Sequence, residues 1–117
     1  YYGARLARAG RDVRFLARSD LATLRTQGIR IQEPSSAFQV PTVRAFASPE
    51  EIGPVDLVIV TLKATANREL PRLLPPLLHP GTVVLTLQNG LGSEEQMAEV
   101  VGAGRVLGGL CFIASMR

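Results

Sequence analysis

The sequence is short of most residue types that carry chemistry on their own. It has one cysteine, Cys111, one histidine, His79, one lysine, Lys63, and no tryptophan. A lone cysteine excludes an internal disulfide framework and fits a reducing compartment, so a cytoplasmic location is expected. One histidine and one cysteine make neither a metal-ligand set of the usual kind nor a Cys–His pair. Aromatic residues are only 5% of the chain. Nucleic-acid binding calls for stacking platforms among the positive charges, so no nucleic-acid partner is expected. No stretch reaches eighteen apolar residues, the minimum for a membrane-spanning helix, and no membrane partner is expected. The opening Tyr1-Tyr-Gly-Ala-Arg5 lacks an initiator methionine and the charged lead and apolar core of a signal peptide. We expect the chain to be cut from a longer one.

What is present is an ordinary globular composition, 46% hydrophobic and 20% charged over 117 residues, enough for one domain with a core. The formal net charge of +3 is uneven. Residues 1–30 carry seven arginines against Asp12 and Asp20, and the remainder is slightly acidic. Arg5, Arg8, Arg11 and Arg14, three residues apart, form either a solvated helix face or a field that attracts a phosphate-bearing ligand.

Taken in order, residues 1–9 read as a helix ended by Gly10, residues 12–17 as a strand, and Leu21 and Leu24 as part of a short helix capped by Ser19 or Asp20 and stopped at Gly28. Residues 29–31, 38–40 and 43–45 read as small strands of an antiparallel excursion at a sheet edge. Ser48-Pro-Glu-Glu51 has the spacing of a capping box. Asp56-Leu-Val-Ile-Val-Thr-Leu62 is branched and apolar without alternation, the pattern of a buried parallel strand. A helix from Thr65 carries Leu70, Leu73, Leu74, Leu77 and Leu78 as a core stripe, with a start or kink at Pro71 and a stop before Pro75. Residues 82–87 read as another buried strand, Gln88-Asn-Gly-Leu-Gly92 as a tight loop, and Ser93 with Gln96 as a second capping box opening a helix to Val101. Residues 106–113 supply a last strand. Strands alternating with helices imply βαβ units and a mostly parallel sheet.

In such sheets the ligand crevice lies beyond the carboxyl ends of the strands. Three strand ends there present Arg18, Lys63 and Asn89. Lys63 follows a buried strand, and every other basic residue is arginine. Either a compact ammonium is wanted at this spot or residue usage accounts for it. In a dinucleotide-binding fold, the residue about 20 positions after the first glycine-rich turn selects the ribose. If that turn lay just before Tyr1, Arg18 would fall at the selecting position, where a guanidinium forks onto a 2′-phosphate and favours NADP over NAD. The plain alternative is a surface arginine at a strand end. Asn89 can donate to one ligand oxygen and accept from another group, or it is a turn asparagine in the left-handed conformation. His79, before Pro80-Gly81, reads as a surface turn residue, and Cys111 as core.

Arg5-Leu-Ala-Arg-Ala-Gly-Arg-Asp-Val-Arg-Phe-Leu-Ala-Arg-Ser19, Val58-Ile-Val-Thr-Leu-Lys-Ala64 and Leu87-Gln-Asn-Gly-Leu-Gly92 with Glu94 and Glu95 resemble the ketopantoate reductases (2-dehydropantoate 2-reductases) from Tyr1 to about Ser115. The resemblance implies an α/β Rossmann-type domain, residues 1–117 being a partial NADP-binding domain whose first strand, Gly-x-Gly-x-x-Gly loop and helical C-terminal domain lie outside the chain. It implies NADPH as cofactor, a 2-oxo acid as substrate, and reduction of ketopantoate to pantoate on the route to pantothenate and coenzyme A. By the same resemblance Arg18 contacts the adenosine 2′-phosphate, Lys63 and Asn89 contact the cofactor, Asn89 also reaches the substrate, and Ser115 offers a backbone contact to NADP. The family's catalytic lysine acid belongs to the helical domain, so no catalytic residue is expected here and the isolated piece should not turn over. A homodimer is one assembly open to the full-length protein. The readings in competition are a nucleotide-binding module without catalysis and a related NADP-dependent dehydrogenase for another 2-oxo acid or β-hydroxyacid.

Overall fold

The computed structural model describes residues 1–113. The chain divides into two compact units, Tyr1–Glu51 and Ile52–Arg117.

The first unit begins with helix α1 (Tyr2–Arg8), strand β1 (Arg14–Leu16) and helix α2 (Leu21–Gln27). Strands β2 (Ile29–Gln32), β3 (Ala37–Val40) and β4 (Arg44–Phe46) follow. β2 and β3 form an antiparallel hairpin with Ile29 opposite Val40 and Ile31 opposite Phe38. β4 departs from the sequence expectation of an antiparallel excursion: it pairs in parallel with β1, Phe15 opposite Ala45. The partner across the sheet, not a local pattern, sets this pairing, and it goes with burial of one face. Val43 and Ala45 are buried in one cluster with Ala4, Phe38 and Val40, and Phe15, Leu21, Leu24, Ile29 and Ile31 pack against it. Gly28 ends α2 with φ +70°, and a Cβ there would stand 2.0 Å from the carbonyl oxygen of Val40. Only glycine fits that turn from helix to hairpin.

Most arginines of this unit are spent on its own packing. Arg5 pairs with Glu33 and, like Arg8, lies over the ring of Phe38, at 5.1 and 4.7 Å. Asp12 bridges Arg44 at 2.5 Å and Arg14 at 3.2 Å, and the bond from Arg44 is the main force holding its carboxyl below the usual range. Arg25 donates to the carbonyl of Ala45 at 3.0 Å. The solvated-face reading of the arginine series is therefore the closer one for Arg5, Arg8 and Arg14, with aromatic and carboxylate partners in place of bulk water.

Helix α3 (Pro49–Ile52) starts where the Ser48 box predicts, and Ser48 Oγ accepts from the Glu51 amide at 3.4 Å. The second unit then runs through β5 (Leu57–Val60), a 3₁₀ turn (Ala64–Glu69), α4 (Leu70–Leu73), a second 3₁₀ turn (Pro75–Leu77) and β6 (Val83–Thr86). Helix α5 (Ser93–Val101), a 3₁₀ turn (Ala103–Arg105) and β7 (Val106–Gly108) complete it. The strands make one parallel sheet in the order β5-β6-β7. The predicted helix from Thr65 is broken into three short pieces. Pro71 sits in the first turn of α4, and Pro75 and Pro76, lacking amide hydrogens, end it. The leucine stripe keeps its purpose, since Leu70, Leu73, Leu74 and Leu77 are all buried. Val60, Leu70, Leu74, Val84, Met97 and Val101 form the core. Each such side chain contributes about 1.5–3 kcal/mol by leaving water. The last strand is shorter than predicted. It ends at Gly108, and Leu110 and Phe112 beyond it are 89% and 94% exposed.

The end of this sheet where the strands begin is tied by its own side chains. Buried Thr82 donates to the carbonyl of Val55 at 2.6 Å and accepts from the His79 amide at 2.8 Å. The Gly81 amide donates to His79 Nδ1 at 3.0 Å, which leaves Nε2–H to donate to Asp56 at 2.9 Å. Arg105 donates to the carbonyls of Thr82 and His79. His79 is thus a turn residue, as its place before Pro80-Gly81 suggests.

Two outcomes follow from this packing. Leu70 is 1% exposed and Leu91 fully exposed. Leu70→Ala should cost about 2–5 kcal/mol in urea unfolding, and Leu91→Ala less than about 0.5 kcal/mol. Hydrogen bonds from Ser36 and Tyr1, aided by Arg5, hold the Glu33 carboxyl down at about 2 from 4.5. A depressed carboxylate stabilises the fold above its unfolded pKa and stops doing so as pH falls through the folded one. Glu33→Gln should therefore lower thermal stability near neutral pH, with the deficit fading between pH 4.5 and about 2. A deficit constant over that range would contradict the assignment.

Candidate functional site at the carboxyl rim of the second sheet

Strands β5 and β6 are parallel and in register, with Val60 opposite Thr86. Lys63 stands three residues beyond Val60 and Asn89 three beyond Thr86. The pairing therefore delivers both to the same rim of one sheet, the carboxyl end, where α/β sheets bind their ligands. Both are exposed. Among the described residues Lys63 has no ion pair and Asn89 no hydrogen bond, although Glu69, a few residues from Lys63, pairs with Arg68 and Arg72. On one rim Lys63 and Asn89 offer a cationic donor and a group that both donates and accepts.

Asn89 does not adopt the left-handed conformation that was its alternative reading. No non-glycine residue among those described has a positive φ, and Gly90 (φ +110°) and Gly92 (φ +85°) make the turn instead. This leaves Asn89 in ordinary backbone geometry, with its side chain unused by the loop.

The loops that carry these two residues are joined by Gln88 of the predicted tight loop and by Asn67, which the sequence reading did not single out. Gln88 Nε2 donates to the carbonyl of Leu62 at 2.8 Å and to Asn67 Oδ1 at 2.7 Å. Buried Asn67 in turn donates from Nδ2 to Gln96 Oε1 at 2.7 Å and to Ser93 Oγ at 3.2 Å. Thr86 Oγ1 donates to Gln88 Oε1 at 3.3 Å and accepts from the Gln88 amide at 3.2 Å. The expected capping box of Ser93 and Gln96 is consequently not formed. Gly92 occupies the cap position, Ser93 is the first helical residue, and both side chains turn to Asn67. Their pattern matches a cap because a cap and a cross-loop anchor use the same short polar residues. Nothing local marks Asn67, which stands between Thr65 and Arg68-Glu69 in a polar stretch.

Arg18 belongs to the first unit. It is exposed, two residues past the end of β1, and has no ion pair or hydrogen bond among the described residues. In that unit Arg5, Arg14, Arg25 and Arg44 are each paired with a carboxylate, whereas Arg8, Arg11 and Arg30 share with Arg18 the lack of an ion pair among the described residues. Ser115 lies outside the described residues. Cys111 is partly buried rather than core.

The chain matches the family described as ketopantoate reductase PanE/ApbA over residues 1–117. It is 43% identical over 115 residues to a 2-dehydropantoate 2-reductase of Nostoc sp. (strain PCC 7120), an alignment covering 98% of this chain and 36% of that protein. The crystal structure of 2-dehydropantoate 2-reductase from Geobacter metallireducens superposes with a TM-score of 0.97 at 47% identity, over 100% of this chain and 39% of that one. The enzyme of that name from Methylococcus capsulatus gives 0.85 at 28% identity, over 97% and 37%. The chain thus spans little more than a third of the length of these three relatives. With a family match over residues 1–117 and a Rossmann-type α/β fold shared at this similarity, the chain belongs to the ketopantoate reductase PanE/ApbA family.

Proposed function

We infer that residues 1–117 are part of the cofactor-binding domain of an NADPH-dependent 2-dehydropantoate 2-reductase, which reduces ketopantoate to pantoate for pantothenate and coenzyme A synthesis. The observation that carries this reading is the pair of polar side chains, Lys63 and Asn89, without partners among the described residues and set on one strand-end rim by the Val60–Thr86 register. The names of the relatives supply the reaction class.

The residues present suit such a cofactor. The guanidinium of Arg18, exposed and without an ion pair among the described residues, matches the doubly charged 2′-phosphate of NADP, which it can hold with two parallel hydrogen bonds. Lys63 places a positive charge where a dinucleotide and an anionic 2-oxo acid would meet, and raises the local concentration of both. Asn89 donates to one oxygen while accepting from another group, so it restricts how the substrate can lie. Ser115 remains a proposed backbone contact. The nicotinamide, when bound, supplies the hydride. This chain's part is to bind and orient, and the proton for the developing alkoxide is assigned to a residue outside residues 1–117. The substrate is accordingly a small 2-oxo acid and the compartment the cytoplasm. Among the described residues no helix is long and apolar enough to cross a membrane.

The test is NADPH oxidation by the full-length reading frame that encodes this chain, with ketopantoate and a panel of other 2-oxo acids. Turnover with ketopantoate, and none by residues 1–117 alone, is expected. NADPH binding without oxidation of any panel member would replace the reading with a non-catalytic nucleotide module. Preference for another acid would transfer it to a related dehydrogenase. In the same protein Arg18→Asp should shift the ratio of kcat/KM for NADPH over NADH downward by about 10- to 100-fold, the worth of a charge-assisted hydrogen bond. An unchanged ratio would remove Arg18 from the cofactor site.

A further inference from the structure

We propose that Gln88 and Asn67 are positioning residues, a two-carboxamide relay that fixes the Lys63 and Asn89 loops relative to each other. The proposal rests on the functional reading above only for its kinetic consequence.

The relay has a direction imposed by one fixed group. The carbonyl of Leu62 can only accept, so Gln88 must turn its Nε2 toward it, at 2.8 Å. The second hydrogen on Nε2 then goes to Asn67 Oδ1 at 2.7 Å. That choice commits the Asn67 amide to donate, and both of its hydrogens are taken, by Gln96 Oε1 and Ser93 Oγ. Thr86 Oγ1 completes the set by donating to Gln88 Oε1. One flipped amide would put oxygen against oxygen at Leu62, so the network holds a single arrangement. The peptide it grips on one side directly precedes Lys63, and the residue doing the gripping directly precedes Asn89. Asn67 is 9% exposed. No described buried side-chain polar atom lacks a partner, so the relay is complete within the protein. Lys63 and Asn89 contribute nothing to it and have no partner among the described residues. Their spacing is set by neighbours that need never touch the ligand.

Such placement matters because a displacement of about 1 Å at a reacting centre can cost on the order of 100-fold in rate. Gln88→Glu, in the full-length protein, is the sharpest test. The introduced carboxylate has no hydrogen for the Leu62 carbonyl, and kcat/KM for the 2-oxo acid should fall by about 10- to 100-fold, mostly in kcat. The activity ratio of variant to wild type should recover as pH is lowered, because the protonated carboxyl regains one donor. A merely structural loss would show no such recovery. Gln88→Met, near in shape and uncharged, should reproduce the kcat loss without the pH recovery. Gln96→Ala, on the exposed side of α5, should give a smaller loss of the same kind and keeps the test open if the Gln88 variants fail to fold. Amide hydrogen exchange at residues 62–64 and 88–91, read in the same proteins, should quicken in every variant. Unchanged exchange together with kcat/KM within about 2-fold of wild type would overturn the proposal. A wild type that shows no turnover would sink the functional reading alone, since the exchange measurement still decides the relay.

Discussion

The register of β5 on β6 is the constraint from which the rest of the site follows. Two parallel strands bonded Val60 to Thr86 must send their next three residues toward the same side of the sheet edge. A slip of one residue would turn Val84, which is fully buried, and its neighbours to the opposite face. The core excludes that slip: Val60, Val84, Leu70 and Met97 meet only in this register. The position of two polar side chains on the rim is thus enforced by apolar packing beneath it.

The two ends of this sheet are finished in different ways. Where the strands begin, Thr82, His79, Asp56 and Arg105 satisfy one another and the nearby carbonyls. Where the strands end, Gln88, Asn67, Ser93 and Gln96 do the same just below the rim. Above that layer Lys63 and Asn89 are left exposed and, among the described residues, without partners. A buried polar group without a partner costs roughly 1–3 kcal/mol, so the lower layer has to be complete. Exposed groups carry no such penalty, and the rim can keep unbonded side chains for a ligand. In the first unit four arginines are held by carboxylates, while Arg18, like Arg8, Arg11 and Arg30, has no ion pair among the described residues.

Several elements were legible because their cause is local. Branched apolar runs without alternation gave β5 and β6, glycines at 10 and 28 marked helix ends, and Pro71 and Pro75 marked the limits of α4. The strand-end rule picked out Lys63 and Asn89 without any contact being known. What went astray needed a distant partner. The strand at 44–46 carries nothing to say that it pairs in parallel with residues 14–16 rather than antiparallel with a neighbour. Ser93 and Gln96 have the spacing of a capping box, yet a buried carboxamide 26 residues upstream of Ser93 claims both.

The sequence by itself determined the alternation of strand and helix, the family, and which polar residues stand at strand ends, since hydrophobic period, proline, glycine and short motifs act over a few residues. Only the tertiary structure decided which of those polar residues remain free. Whether a side chain is free depends on what lies across from it. Asn67 and Gln88 are consumed by partners that chain order keeps apart, whereas Lys63 and Asn89 face none among the described residues.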